Sequence, residues 1–598
     1  MTIKMKRYII FAALATLGLS SCDSALERTP QSQLSPESYF RTETDLQLFS
    51  NTFYNNLLDK DMFAHQSDQY TQLVMSNEMR GGTTRTVPKS GGGWSWGDLR
   101  KLNTMLEYIN NCSDEAAVKK YTGVCQFFRA YIYYDKVRRF GDVPWVDKQL
   151  GSADAELYNP RDSREYVMTK MLEDIDSAIE KLPSEVSVYR VNKWTALALK
   201  SSFCLFEGTY RKYHELNLEG HDYQYYLNLA AEAAKEIIDG GKYKLYSTGK
   251  PNEDYMTLFA EENADKGEYI LAINFDFGLE IFNNSTAFAI LQTQGRTGVT
   301  KKIVDSYLMK DGSRFTDKPG WQTMQFKEEV ADRDPRLAQS IRTPGYHRIG
   351  QTQVLAPDFA ASVTGFQTVK FVMNPSAGNN GVDRPDRSIN DLPVIRYAEI
   401  LLNYAEAKAE LGTLTQEDLN ISVNKIRERA GMPNLNMAEA NANPDWYLAS
   451  KEYGYMNVDK GANKGVILEI RRERTIELAQ EGYTRWFDLM RWKEGNCVDQ
   501  EVYGMYFPGP GEYDLTGDGK TDIVLYTDTK PEGSVTAYKI GTDIYLSNGE
   551  SGYVNPHRDT ERTKFNEVRD YLYPIPINDR SLNPNLAQNP GWDDGLNF

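Results

Sequence analysis

Apolar side chains recur every three or four residues through much of the first half of the chain, which is the pattern of amphipathic helices. One such stripe runs from Val118 to Tyr134, and its helix should end near Gly141, a residue that suits a C-cap and is soon followed by Pro144. The same periodicity predicts further helices over 163–182, 194–213 and 225–238. The first half of the chain is therefore expected to be mainly helical.

The clearest pair of helices lies in the second half of the chain. Its first helix carries an apolar stripe from Tyr397 to Leu411. Thr415, with Asp418 three residues later, has the spacing of a capping box that starts the next helix, which should continue to Gly431. The unit spans about 35 residues, close to the 34-residue tetratricopeptide hairpin. Because the helix pairs are spaced irregularly, we predict a helical-repeat scaffold interrupted by long insertions.

Two parts of the chain lack this periodicity. Between about residues 240 and 393, and again over 500–555, Gly, Asn, Asp and Pro are frequent and the apolar runs are short. The runs at 269–275 and 368–373 are β-prone. We expect loops and small sheets laid on the scaffold, where recognition residues usually lie.

The first 22 residues have the composition of an export signal. Three basic residues precede an apolar stretch at 8–19, which is shorter than the roughly 20 residues needed to span a bilayer. Small residues then lead to Cys22. This ending resembles the lipobox of bacterial lipoproteins, in which cleavage leaves an acylated cysteine that anchors the protein to a membrane. The alternative is an ordinary signal peptide that happens to carry Cys22.

The remaining chain is long enough for a large core, and no later apolar run reaches membrane-spanning length. Residues 23–36 lack periodicity and read as a flexible connection. We predict a signal peptide at 1–21, an acylated tether at 22–36, and one compact unit made of an N-terminal region, 37–240, and a C-terminal region, 241–598.

Net charge excludes one large class of partner. The chain carries −16 at pH 7, and removal of residues 1–21, which contain three basic and no acidic side chains, makes the mature charge −19. Phosphate backbones are bound by basic patches. We therefore predict no nucleic-acid partner.

The cysteines indicate little about function. Apart from Cys22 the cysteines are Cys112, Cys125, Cys204 and Cys497. They show no C-x-x-C spacing, and we interpret them as small buried hydrophobic residues.

Aromatic residues make up 12% of the chain. Much of that must be core, but abundant Tyr and Trp also suit a surface that recognises flat, weakly polar faces.

Four groups of motifs, in order along the chain, resemble those of the SusD/RagB family of outer-membrane glycan-binding lipoproteins. The first is FRAY at 128–131 with RRFGDVP at 138–144, and the second is PVIRYAEI at 393–400 with NYAEA at 403–407. The third and densest comprises ER at 473–474, EL at 477–478, EG at 481–482, RW at 485–486, DL at 488–489 and RW at 491–492. The fourth is YPIP at 573–576, NP at 583–584 and QNPG at 588–591. With Cys22 they cover nearly the whole mature chain.

The resemblance implies both a fold and a role. The fold is expected to be mainly α, with about four tetratricopeptide-like helix pairs and an irregular ligand-binding region with small β insertions. The role is expected to be capture of oligosaccharide at the cell surface by aromatic stacking. The protein would then deliver the oligosaccharide, as a hinged lid, to a SusC-like TonB-dependent transporter of the outer membrane. No cofactor is required for such a role.

The densest motif is rich in charges that can pair along a single helix with a continuous apolar stripe. Arg474 can pair with Glu477, and Glu481 can pair with Arg485 in the same way. A glycosidase interpretation takes Glu473 and Glu477 as the acid and its partner. Catalytic carboxylates, however, face each other across a sugar, so we interpret these two as members of scaffold ion pairs.

A loop at 514–522 has oxygen side chains at the spacing of a cation site. Loop positions 1, 3, 5 and 9 are Asp514, Thr516, Asp518 and Asp522, with glycine at position 6 and the carbonyl of Lys520 as a further ligand. Position 12 is not glutamate, so the loop is not a complete EF-hand. A structural calcium ion is one interpretation, and a solvated Asp-Gly turn is the other. A phosphate loop is excluded, because the first glycine of that motif falls on an aspartate.

Sugar recognition needs flat apolar surfaces for the C–H faces of the rings and planar polar groups for the hydroxyls. Trp94 and Trp96 follow three consecutive glycines, which preclude a regular helix and allow exposure. In the family, the sugar platform likewise draws on aromatic residues ahead of the helix that begins here near Asp98. Trp96 is therefore the first candidate platform.

Other residues extend this candidate site. Arg80, Asn77 and Arg85 lie just upstream and carry hydrogen-bonding groups. Trp321, after a Pro-Gly turn in the irregular middle of the chain, and Tyr346, next to Gly345, are weaker platform candidates.

No catalytic constellation is recognisable in the sequence. The chain has five histidines but neither an H-E-x-x-H nor a G-x-S-x-G motif. We therefore expect a binding protein that is not an enzyme. The alternatives are a surface glycoside hydrolase and a peptide-uptake lid of the RagB type.

Overall fold

The computed structural model describes residues 35–59, 61–63, 66–459 and 461–598. Cys22, the predicted signal peptide and most of the predicted tether lie outside these residues. Within them the protein is mainly helical, with 40% helix and 9% strand. The predicted fold class, a mainly α scaffold with small β insertions, is confirmed.

Helices of five or more residues are labelled here in chain order. The N-terminal part contains α1 (Glu43–Leu57), α2 (Gly97–Tyr108), α3 (Glu115–Phe140), α4 (Arg164–Lys181), α5 (Lys193–Tyr213) and α6 (Tyr223–Gly240). The irregular middle contains α7 (Asp254–Ala260), α8 (Ser285–Ile290) and α9 (Lys301–Ser306). The C-terminal part contains α10 (Tyr397–Glu410), α11 (Gln416–Asn420), α12 (Val423–Arg429), α13 (Met437–Ala442), α14 (Lys464–Glu477), α15 (Thr484–Arg491) and α16 (Ile577–Leu582).

The helices predicted in the first half are confirmed, with bounds within two residues for α4, α5 and α6. Their ends are fixed by local chemistry. The Asp114 side chain accepts hydrogen bonds from two backbone N–H groups at the start of α3, and Gly141 ends that helix with φ +73°. The Ser163 hydroxyl caps α4 in the same way as Asp114 caps α3.

Close packing of α5 on α6 depends on a glycine. A Cβ atom at Gly208 would lie only 2.7 Å from the side chain of Leu227 on the facing helix. Any larger residue at 208 would push the two helices apart. This contact is one of those that hold consecutive helices together as antiparallel pairs.

The helix expected to run from Thr415 to Gly431 is broken in two. The predicted capping box is present, since the Thr415 hydroxyl and the Asp418 carboxylate each accept from the other's backbone N–H. Ser422 then leaves helical geometry (φ −130°, ψ −98°), and its hydroxyl donates to the Asp418 carbonyl. A side-chain bond that competes with the backbone pattern therefore separates α11 from α12.

The single helix expected through the densest motif is also wrong. Helix α14 ends at Glu477 and α15 begins only at Thr484. Between them Gln480 adopts a left-handed conformation (φ +63°), which no α-helix contains. The apolar stripe continues across this turn only because both helices face the same core.

The strands are short and form four small sheets. They are β1 (Tyr70–Thr71), β2 (Tyr269–Ile273), β3 (Gly298–Val299), β4 (Leu392–Arg396), β5 (Tyr506–Phe507), β6 (Gly511–Tyr513), β7 (Ile523–Tyr526), β8 (Thr536–Lys539) and β9 (Gly552–Tyr553). The pairs β1–β3, β2–β4, β5–β9 and β6–β7 are antiparallel, and β7–β8 is parallel. The strand predicted at 368–373 is absent, because there only Thr368 forms a bridge, to Ile341.

A single hydrophobic core connects the two ends of the described chain, from Phe40 to Leu586, and includes side chains of α3, α5, α10 and α14. A second core, from Val299 to Val554, lies under the small sheets. The four cysteines at 112, 125, 204 and 497 are buried, as interpreted from sequence, and the structure adds that they are not in disulfides. Within the described residues, none of the helices combines the length and apolarity needed to span a bilayer.

Candidate functional site

The segment before α2 is shaped by its three glycines. Gly91, Gly92 and Gly93 all have positive φ angles (+78°, +59° and +89°), which other residues rarely adopt. The Trp94 backbone N–H donates to the Gly91 carbonyl at 2.9 Å and closes a tight turn. The chain therefore reverses sharply and places Trp96 at the N-terminal end of α2.

Trp94 supports Trp96 and presents no face of its own. It is only 5% exposed, and its ring packs edge-on against Phe140 at 4.8 Å and against Trp96 at 5.2 Å between centroids. As folded, Trp94 is a core residue.

Trp96 is half-buried and held in one orientation. The Lys136 ammonium group lies 5.3 Å from the centroid of its ring, a cation–π contact, and the Tyr133 ring lies 6.0 Å away. The same ammonium group donates to the Gly93 carbonyl, and burial lowers the pKa of Lys136. The ring is thus anchored from the protein side while part of it remains accessible.

The accessible part of Trp96 borders a groove of about 300 Å³ between the first turns of α2 and the segment 144–159. We term it the Trp96 groove. It is lined by Trp96, Gly97, Leu99, Arg100, Asn103, Pro144, Val146, Lys148, Leu150, Glu156, Leu157 and Asn159. Its lining is mostly apolar, and its rim carries the charged side chains of Arg100, Lys148 and Glu156 and the amide of Asn159.

Two interactions shape the outer wall of the groove. The buried Asn103 amide donates to the carbonyls of Val146 and Lys148, at 2.9 and 3.1 Å, and so ties the wall to α2. At the rim the Lys148 ammonium lies 2.6 Å from the Glu156 carboxylate. This hydrogen bond raises the pKa of Lys148 and lowers that of Glu156, so both groups stay charged.

Trp145, behind this wall, was missed by the sequence analysis. Its ring is half-buried and stacks on Tyr133 at 4.2 Å between centroids, with the Arg129 guanidinium 5.4 Å from the ring. The available signal was its position directly after Pro144, just beyond the end of α3.

The structure does not place Arg80, Asn77 or Arg85 in the lining of the Trp96 groove. Arg80 lies in a short helical turn beside another segment, where its guanidinium Nε donates to the Glu561 carbonyl at 3.4 Å. Asn77 begins the same turn and is exposed. Arg85 is buried and paired with Asp570 at 3.2 Å, so its role is structural.

The two weaker platform candidates are buried. Trp321 is 5% exposed and is surrounded by the rings of Phe315, Tyr447 and Tyr453. Tyr346 is 9% exposed. Neither offers a free ring face as folded.

The loop 514–522 is closed by its own hydrogen bonds. The Asp514 carboxylate accepts two backbone N–H groups of the loop at 2.7 and 3.0 Å, and the Asp522 carboxylate accepts two more at 2.7 Å. Asp518 pairs with Lys520 at 3.0 Å. Across the described ranges, no three His, Cys, Asp or Glu side chains are grouped to hold a metal. The carboxylates of the loop therefore stabilise its own backbone, and the calcium interpretation stays a prediction.

Glu473 and Glu477 lie almost fully buried on α14, and guanidinium groups surround both. Their carboxylates accept hydrogen bonds at 2.5 to 3.2 Å from arginines of other segments. We term the set the arginine hub: Arg336, Arg396, Arg427, Arg429, Glu473 and Glu477. The prediction that these two glutamates form scaffold ion pairs is confirmed.

Burial and charge act in opposite directions on Glu477. Burial alone would raise the pKa of its carboxyl group, but the guanidinium groups of Arg429, Arg396 and Arg336 outweigh this effect and hold the pKa well below its usual value. A permanently charged carboxylate enclosed by arginines cannot act as a general acid at neutral pH.

The pairings predicted within the motif are wrong. Arg474 binds Asp488 at 2.8 Å instead of Glu477, and Arg485 binds Asp68 at 2.7 Å instead of Glu481. The turn between α14 and α15 breaks the helical spacing between Glu481 and Arg485. Arg474 and Glu477 share α14, but each is held by a partner from another segment. Tertiary partners therefore replaced the local ones.

A model of the SusD family matches residues 275–592, more than half of the chain. The chain belongs to the SusD family. A second model, described as starch-binding associating with outer membrane, matches residues 43–205.

Individual SusD relatives match along most of the chain. SusD-like protein P2 of Formosa agariphila is 26% identical over an alignment of 539 residues, and the match covers 84% of this chain and 92% of that protein. A SusD-like protein of Bacteroides ovatus is 21% identical over 616 residues and covers 99% of both chains. A solved structure of a SusD-like carbohydrate-binding protein from Bacteroides fragilis matches with a TM-score of 0.68 at 22% identity, covering 92% of this chain and all of that one. The structural likeness shows a shared fold.

In this SusD family member the densest sequence motif and the candidate site are separate. The motif builds the arginine hub on α14, whereas the Trp96 groove is lined by α2 and the segment 144–159. The motif is therefore typical of the family but does not mark the Trp96 groove.

Proposed function

We propose that this chain binds oligosaccharide in the Trp96 groove and is not an enzyme. The observation that carries the proposal is a partly exposed tryptophan ring, fixed by Lys136, at the edge of a groove whose rim is charged and whose floor is apolar. Sugar rings have apolar C–H faces and polar edges, and this groove offers a complement to both. The starch-binding description of the second family model and the carbohydrate-binding Bacteroides fragilis relative support the proposal.

The lining of the groove argues against hydrolysis there. Glycosidases place two carboxylates on either side of the scissile bond, about 5–9.5 Å apart. Glu156 is the only carboxylate among the described residues that line the groove, and it is paired with Lys148. Binding and release without bond cleavage is therefore the function that this geometry supports.

We further propose that the protein acts as a surface lid on a SusC-like TonB-dependent transporter, anchored to the outer membrane through acylated Cys22. The family membership and the lipobox-like sequence support this proposal. Cys22→Ser should move the protein from the membrane fraction to the soluble fraction, with loss of the lipid mass on the N-terminal peptide. An unchanged distribution between fractions would contradict the anchor.

Affinity electrophoresis in native gels that contain starch, xylan, mannan, pectin or laminarin tests the binding function. At least one polysaccharide should retard the wild-type protein, and Trp96→Ala should abolish that retardation while the protein remains folded. The matched control is Tyr166→Ala, which removes a 45% exposed ring on α4 outside the groove lining.

Three results would contradict the proposal. Full retardation of a folded Trp96→Ala protein would exclude this groove. Release of oligosaccharide products by the wild-type protein would favour the hydrolase. If the protein bound to peptides on an array and to none of the polysaccharides, a peptide-uptake lid would be favoured.

A further inference from the structure

Trp446 differs from every other tryptophan in the protein. All nine tryptophans lie within the described residues, and Trp446 alone is exposed, with 44% of its surface accessible. The others are buried in the core or half-buried, as Trp96 and Trp145 are. An exposed indole gives up much of the free energy that burial of its ring would contribute, so its position needs a reason.

The Trp446 ring is fixed although it is exposed. Its indole N–H donates to the Asp317 carboxylate at 2.7 Å. From beneath, the ring packs edge-on against Tyr447 at 5.9 Å and tilted against Trp321 at 6.3 Å between centroids. A ring that is held in place before a ligand arrives loses little conformational entropy on binding.

Asp317, which holds the Trp446 ring, also lines a polar groove of about 330 Å³. Planar polar side chains also line this groove: Arg314, Asn434, Asn436 and Glu439. Arg314 is held by Asp445 at 3.2 Å, next to Trp446 in sequence. The surface thus combines a flat aromatic face with guanidinium, amide and carboxylate groups.

We propose that Trp446 and this groove form a second carbohydrate-binding surface, a proposal that rests on the function proposed above. Its ligand class is a sugar with an apolar ring face, which stacks on the indole while its hydroxyls meet the planar polar groups. It shares no lining residue with the Trp96 groove, so we expect the two surfaces to bind independently.

Two independent sites predict a stoichiometry. A hexasaccharide prepared from whichever gel polysaccharide retards the wild-type protein should bind in a ratio of two per chain by calorimetry or native mass spectrometry. Trp446→Ala and Trp96→Ala should each bind one, and the double variant none. Trp446→Phe keeps a stacking ring but loses the Asp317 bond, and should bind at the second site about tenfold more weakly. Tyr166→Ala is again the control.

The outcomes separate this inference from the proposed function. The wild-type protein could bind one hexasaccharide per chain, with binding lost in Trp96→Ala and kept in Trp446→Ala. That result would contradict the second surface but not the proposed function. A wild-type protein that no polysaccharide retards contradicts both. Because Trp446 is exposed, its replacement should leave the melting temperature unchanged, and a shift of several degrees would mean that the residue is structural instead.

Discussion

The arginine hub and the Trp96 groove use the same residue types in opposite ways. In the hub, carboxylates and guanidinium groups are almost completely buried and satisfy one another. In the groove, Lys148 and Glu156 form a single pair in contact with solvent. Breaking a buried pair costs about 3–5 kcal/mol because a charge is left uncompensated, whereas solvent screens an exposed pair. Charge therefore stabilises the fold in one region and remains available to a ligand in the other.

This contrast predicts its largest effect at Glu477. Glu477→Ala removes a carboxylate shared by three buried guanidinium groups, which keep only their remaining partners Asp334, Glu473, Glu481 and Glu268. Since net positive charge is left in a buried cluster, we expect a loss of about 3–5 kcal/mol in the free energy of unfolding by urea. Glu156→Ala, at the groove, should leave the urea midpoint unchanged. Equal midpoints for the two variants would show that the hub does not hold the scaffold.

Acid should destabilise the hub and its neighbours. Burial tends to raise the pKa of Glu406, but Arg491 and its other partners lower it to about 2, and the pKa of Glu477 is lowered as well. A depressed pKa gives stability that is fully present above the unfolded value of about 4.5 and is lost as the pH falls towards 2. The melting temperature should therefore fall steeply below about pH 4.5. A flat profile between pH 5 and pH 2.5 would contradict these pairings.

Asn103 should link stability to binding. Asn103→Ala removes two hydrogen bonds from a buried amide to the outer wall of the groove, and we expect about 1–3 kcal/mol of destabilisation with several-fold weaker oligosaccharide binding. The exposed rim residue Asn159 provides the comparison, since Asn159→Ala should leave stability unchanged. Unaltered affinity in a destabilised Asn103→Ala protein would separate the wall from recognition.

The smallest effect is expected at the loop 514–522. Its carboxylates already accept hydrogen bonds from its own backbone, so calcium and a chelator should give the same melting temperature. A rise of several degrees with calcium, together with one bound ion by elemental analysis, would support the calcium interpretation made from the sequence.

Helices and caps were predictable because they depend on neighbours within four residues. The stripe of α3 and the capping box at Thr415 are of this kind. The partners of Glu477 were not predictable, since Arg336, Arg396 and Arg429 lie 141, 81 and 48 residues away along the chain. No spacing rule for a single helix covers such distances.

The sequence by itself determined the helical scaffold, the family and the chemistry available for sugar binding. The tertiary structure alone decided which tryptophans are core and which are surface: Trp94 and Trp321 are buried, Trp96 borders a groove and Trp446 is exposed. Periodicity is a local property of the chain, but the exposure of a ring depends on segments that reach it from far away in sequence. Folding brings those segments together, and their packing decides which rings a ligand can reach.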